Sequence, residues 1–264
     1  MLPVLESSAK ERKTILCFGI DPILEKIKEE GTVEEKILKF YFELTDKLIE
    51  ENQISAIKPN YAFFAQYGFE GLSALKNIIE RYRGKTLVIL DGKRGDIGKT
   101  AQAYARELYD FWRADATTIS PYLGSDTIEP FLREGKLAYV LCKTSNPGSA
   151  ELQDLKFKGK KLYELIAEKS LNWKNAGLVV GATSDAIKKI VKITNGEVPF
   201  LIPGIGTQGG DLDLVMKAIK KNPYIHRINS SSGIAEAYLK SGGTPVEDAL
   251  KEAEKLNECI RKYL

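Results

Sequence analysis

The 264-residue sequence carries 39 Lys and Arg against 36 Asp and Glu, a net charge of +3, with 43% hydrophobic residues. That composition can fill a core, and so small and interspersed a charge excludes an extended nucleic-acid surface. No apolar run reaches the length of a membrane span, and the N-terminal MLPVLESSAKERK lacks a signal-peptide core. Cys17, Cys142 and Cys259 are odd in number and far apart, which argues against a disulfide framework or a zinc site and fits a reducing cytosol.

Short apolar, β-rich runs alternate with helical patterns along the whole chain. In order, the strands are expected at TILCFGID (14–21), SAIKPN (55–60), TLVILDGK (86–93), ATTISPY (116–122), AYVLCKTS (138–145), GLVVGAT (177–183), PFLIPGIG (199–206) and RINSSSG (227–233). Their apolar centres are nearly continuous, as in parallel strands buried on both faces. Between them, residues 33–52 place Ile37, Phe40, Tyr41, Leu44 and Leu48 on one helical face. Residues 99–112 do the same with Ala101, Tyr104, Ala105, Leu108 and Phe111. Eight strand–helix units of this regularity predict a (β/α)₈ TIM barrel rather than a doubly wound open sheet, and no linker divides residues 1–264 into more than one domain.

The stretch LVILDGKRGDIGKT (87–100) ends in the letters that close a phosphate-binding P-loop. That motif needs a glycine five residues before Gly98, where the chain has Lys93; Gly92 is one residue too early. A lysine is expected to be unable to take the glycine-only backbone conformations such a wrap uses. The charges of Asp91, Lys93, Arg94 and Asp96 therefore need another explanation.

Barrel chemistry collects at the C-terminal ends of the strands. Here those ends carry Asp21, Lys58, Asp91 with Lys93, Ser145, the glycine-rich IPGIGTQGGD (202–211), and Ser230 to Gly233. Asp91 and Lys93, two apart on an extended strand, are expected to point the same way, with Lys58 reaching the same space. A lysine held between carboxylates stays cationic and suits proton donation or carbanion stabilisation. Asp96, three residues on, can fold back onto the cluster or reach a neighbouring subunit. The glycine-rich segment after strand seven sits where barrels bind phosphate, so a small phosphate ester is the expected ligand. The single histidine, His226, opens a strand and is read as structural, which excludes a serine triad or a multi-histidine metal site.

CFGIDP (17–22), IKPNYAFFAQYG (57–68), LDGKRGDIGKTAQAYA (90–105), TSNPGS (144–149), VVGAT (179–183) and PGIGTQGGD (203–211) follow one another over nearly the whole chain. In that order they resemble the orotidine 5′-phosphate decarboxylases, in their longer bacterial-type branch. The resemblance implies cofactor-free and metal-free conversion of orotidine 5′-phosphate to uridine 5′-phosphate, the last step of UMP synthesis, by a cytoplasmic homodimer. It implies that Lys93 stabilises and then protonates C6, with Asp91 beside the substrate carboxylate and Lys58 completing the charge array. Asp96 and Thr100 would come from the partner subunit. Asp21 would hold the ribose, Ser145 the pyrimidine edge, and Gln208 with the backbone of Gly204 and Gly206 the phosphate.

One departure concerns the phosphate. Where the family usually has Ser-Arg-Gly-Ile after strand eight, this chain has Ser231, Ser232, Gly233 and Ile234. Loss of a charge-assisted contact weakens binding by roughly 1.5–3 kcal/mol unless another group substitutes. Arg227 is a poor replacement, being expected at the opposite end of the strand. Two other readings are a related barrel lyase or aldolase using Mg²⁺ and a nucleotide-binding descendant without turnover.

Overall fold

All eight apolar runs form strands in the computed structural model, which describes residues 1–182, 186–205 and 211–264. They are β1 (Leu16–Ile20), β2 (Ala56–Pro59), β3 (Leu87–Arg94), β4 (Ala116–Ile119), β5 (Leu137–Lys143), β6 (Ala176–Val180), β7 (Phe200–Pro203) and β8 (Arg227–Ser230). Each pairs in parallel with its neighbour in sequence, and the sheet closes with β1 against β8, Leu16 opposite Ile228. The expected (β/α)₈ barrel is therefore present.

The near-continuous apolar strands divide into two buried layers because successive side chains alternate across the sheet. Leu16, Phe18, Val88, Leu90, Val140 and Leu178 pack outward against the helices. Cys17, Ala56, Ile89, Ala116, Tyr139, Val179 and Leu201 form the second cluster, inside the barrel. Burial pushes the Cys17 thiol up to about 12, so it is an inert filler.

The helix Val33–Glu50 buries the five predicted side chains. It is opened by Thr32, whose hydroxyl accepts from Glu35 N while the Glu35 carboxylate accepts from Thr32 N. The helix Gly98–Arg106 departs from expectation at its end. A π-helical turn at Glu107–Phe111 adds a residue to the turn and rotates the face. Tyr109 and Trp112 are buried in consequence, while Phe111, expected inside, is 66% exposed.

A further helix, Leu2–Arg12, has too weak an apolar stripe to be read from the sequence. It plugs the N-terminal mouth of the barrel, with Leu5 joining the interior cluster. Arg227, fully buried, binds this plug: its guanidinium donates to Leu5 O at 2.8 Å and Ser8 Oγ at 2.6 Å, and to Tyr224 O and His226 O. Arg227 is thus committed at the end of the barrel opposite the strand C-termini, as expected.

His226 is buried, and its Nδ1 accepts from Phe200 N at 2.9 Å. Burial, reinforced by the Arg227 charge, pushes its pKa down to about 3. The unfolded chain therefore binds a proton here below about pH 6.5 that the fold rejects until about pH 3. This contribution to stability is complete above the unfolded pKa and is lost as pH falls through that window, by about 1.4 kcal/mol per pH unit at most. Urea unfolding of the wild type and of His226→Gln between pH 6.5 and 4.5 is expected to show a wild-type decline that is flatter in the variant. Parallel profiles would contradict this origin.

Candidate active site

The C-terminal ends of the strands surround a cavity of about 580 Å³. Its lining includes Asp21, Lys58, Asp91, Lys93, Ser145, Gly204 and Ser232, which brings together seven of the residues singled out from the sequence. Gly206 and Gln208 lie outside the described residues. Gly233 faces a separate cleft beside the helix Pro245–Arg261.

Asp91 is the hub. Its Oδ2 accepts from Lys58 Nζ at 3.0 Å. Its Oδ1 accepts from Lys93 Nζ and from Thr118 Oγ1, both at 2.7 Å. Asp21 Oδ1 stands 4.0 Å from Lys58 Nζ, so the charges alternate as Asp21, Lys58, Asp91, Lys93. Burial opposes the charge on Asp91, but Lys58, Lys93 and the Thr118 hydroxyl hold its carboxyl far below the usual carboxylate range. Burial likewise opposes the Lys58 cation, and Asp91 with Asp21 outweighs it, raising the Lys58 pKa. Both groups are ionised at neutral pH.

The way Asp91 and Lys93 meet differs from the extended strand end that was expected. The β3–β4 register shifts between Leu90 and Arg94, and Lys93 adopts a left-handed backbone with φ 43°. Lys93 N donates to Thr118 Oγ1 at 3.0 Å, so Thr118 fixes both the bulge and the carboxylate. A left-handed lysine corrects one step of the P-loop exclusion, since this position does take a conformation that favours glycine. The failure of the glycine spacing remains. Backbone strain at the residue bearing the exposed ammonium places it where an extended residue would not.

Arg94 and Asp96, the neighbouring charges of the stretch, make their contacts elsewhere in this chain. Arg94 pairs with Glu107 at 2.8 Å and lies over the Tyr61 and Tyr104 rings. Asp96 turns back on the chain, its Oδ1 accepting from Ile97 N at 2.7 Å. Neither Asp96 nor Thr100, on the first turn of Gly98–Arg106, lines the cavity of its own chain.

Thr118, Asn60, Asn146, Gln153 and Asn229 line the cavity without having been singled out. Thr118 was legible only as a β-branched residue in an apolar strand, and its partner across the bulge is what distinguishes it. Gln153 clamps the β5 loop, accepting from Thr144 N at 2.9 Å and donating to Thr144 Oγ1 at 2.8 Å. Among the described residues no group of three or more His, Cys, Asp or Glu side chains is placed to hold a metal ion.

Comparison with known proteins bears on this arrangement. A profile of the Orotidine 5′-phosphate decarboxylase / HUMPS family matches residues 14–241. An orotidine 5′-phosphate decarboxylase of Roseiflexus castenholzii is 42% identical over 221 residues, 81% of this chain and 80% of its own. The solved structure of Leishmania donovani OMP decarboxylase superposes with a TM-score of 0.81 at 36% identity, covering 98% of both chains. Leishmania donovani UMP synthase superposes at 0.84 with 37% identity, but this chain spans only 56% of that longer protein.

Proposed function

The chain belongs to the orotidine 5′-phosphate decarboxylase family, and from that premise we propose how its own residues perform the reaction. It converts orotidine 5′-phosphate to uridine 5′-phosphate. Breaking the C6–carboxylate bond leaves an electron pair on C6 that the pyrimidine ring delocalises poorly. A preorganised cation supplies the stabilisation, in a reaction whose demand is on the order of 20 kcal/mol.

Lys93 is that cation. The substrate carboxylate enters beside Asp91, and CO₂ leaves as the charge on C6 develops toward Lys93 Nζ. Lys93 then delivers a proton to C6 and regains one from water. The observation that carries this reading is the three-donor hold on Asp91 by Lys58, Lys93 and Thr118. It keeps a buried carboxylate charged and Lys93 aimed into the cavity before substrate arrives. Asp21 takes the ribose hydroxyls, Ser145 the pyrimidine edge, and Gly204, Gly206, Gln208 and Ser232 the phosphate. No cofactor is needed, and turnover in excess EDTA is expected to equal that without it. Loss of activity restored by Mg²⁺ would favour a metal-dependent barrel lyase.

We place Asp96 and Thr100 in the site of a partner copy, with the whole chain as one barrel domain acting as a cytoplasmic homodimer. In support, neither residue lines its own cavity, and the apolar Ile97 beside them is 61% exposed. Tyr122 and Leu123 on the adjacent β4 loop are exposed too. Mixing Lys93→Ala with Asp96→Ala, each inactive alone, is expected to restore about a quarter of wild-type activity. Half of randomly assorted dimers are mixed, and each of those carries one intact site of two. No recovery in demonstrated mixed dimers would contradict the shared site.

A further inference from the structure

Among the described residues, the cavity end nearest β7 and β8 carries no positive charge. Lys58 and Lys93 are the only Lys or Arg among the described residues that line the cavity, and both are engaged with Asp91. The sequence of residues 206–210, GTQGG, contains no Lys or Arg. An anionic group bound there meets neutral donors.

Asn229 is a neutral donor built into this wall. It faces inward on β8, between Cys17 of β1 and Pro203 of β7, and lines the cavity while only 5% exposed. Among the described residues its side chain makes one hydrogen bond, Nδ2 to Ser231 Oγ at 3.3 Å, and its Oδ1 has no partner. An amide offers two N–H donors and an acceptor with two lone pairs, so most of this capacity is unused at a position where burial makes that costly. The neighbouring strand makes room for the pair: a Cβ on Gly19 would lie 1.9 Å from Ser231 Oγ and 3.2 Å from Asn229 Nδ2. An apolar residue would fill the same wall without leaving polar atoms unpaired.

We propose that Asn229 is a specificity-determining residue for the phosphoryl-bearing end of the ligand. Its second Nδ2–H donates to a phosphoryl or phosphoester oxygen, and its bond to Ser231 Oγ aligns that hydroxyl beside Ser232 in a charge-free donor set. This rests on the decarboxylase reading and adds to it how a phosphate is recognised without a local cation.

The test compares uridine 5′-phosphate with uridine by calorimetric titration, alongside orotidine 5′-phosphate turnover, for wild type, Asn229→Ala and Asn229→Asp. Asn229→Ala is expected to weaken uridine 5′-phosphate binding about 10- to 100-fold. Asn229→Asp, nearly the same shape, puts an acceptor and a negative charge against the phosphate and is expected to weaken it at least as much. Binding of uridine is expected to change less than about threefold in both, because the contact is to the phosphoryl end alone. Equal loss for both ligands in a folded variant, or unchanged phosphate affinity in Asn229→Asp, would overturn the assignment while leaving wild-type turnover untouched. A wild type that fails to turn over orotidine 5′-phosphate would instead overturn the decarboxylase reading, and this inference with it.

Discussion

Replacing Lys93 with alanine is expected to lower turnover by at least about 10⁴-fold while leaving uridine 5′-phosphate affinity within about threefold. Lys93 is assigned both the electrostatic and the proton-transfer contribution, and losses of that kind fall on kcat because they concern a charge present only as CO₂ departs. The fold is expected to survive. The Lys93 side chain is 51% exposed, and alanine carries the same Cβ into the left-handed conformation. Circular dichroism, calorimetry and a turnover assay on one preparation separate the effects. A variant that retains more than a tenth of wild-type turnover would remove Lys93 from the chemistry.

The Asp91→Asn variant is expected to lose comparable activity for a different reason, and stability with it. Among the described residues Asp91 is the only group within hydrogen-bonding reach of the buried Lys58 ammonium, and the Lys58 side chain is 5% exposed. Removing one partner of a buried ion pair strands the other, at a cost of about 3–5 kcal/mol. Urea unfolding is expected to show that loss. The double variant Lys58→Met with Asp91→Leu is expected to recover much of the stability, because the buried Lys58–Asp91 pair is then removed as a whole, and none of the activity. If Asp91→Asn unfolds like the wild type, the Lys58 charge is solvated or neutralised in a way the geometry does not provide.

The barrel was legible because a parallel sheet covered on both faces writes each strand as a continuous apolar run, bounded by Gly, Pro or a charge. For the same reason Lys58, Asp91 and Lys93 stood out: a lysine or aspartate closing such a run is costly unless it has a function or a partner. What stayed hidden depends on geometry that spacing does not encode. Left-handed Lys93 looks like any strand residue, so the two side chains were expected to meet across an extended end rather than a bulge. Thr118 and Asn229 are unremarkable letters inside strand patterns, and only the closed barrel gives them Asp91 and Ser231 as partners. The π-helical turn at Glu107–Phe111 moved Phe111 out of the predicted face because one added residue shifts the phase of everything after it.

The most direct test of Lys93 as the proton donor runs the last step backwards. If Lys93 Nζ protonates a C6 carbanion, microscopic reversibility requires the protein to remove the C6 proton of uridine 5′-phosphate and exchange it with solvent. Incubating uridine 5′-phosphate with the wild-type protein in D₂O containing EDTA, followed by proton NMR, is expected to show steady loss of the C6–H signal. With Lys93→Ala at equal concentration and saturation the signal is expected to persist. Exchange at the same rate in both, or none in a wild type that decarboxylates orotidine 5′-phosphate, would contradict the assignment of Lys93 as the group that meets C6.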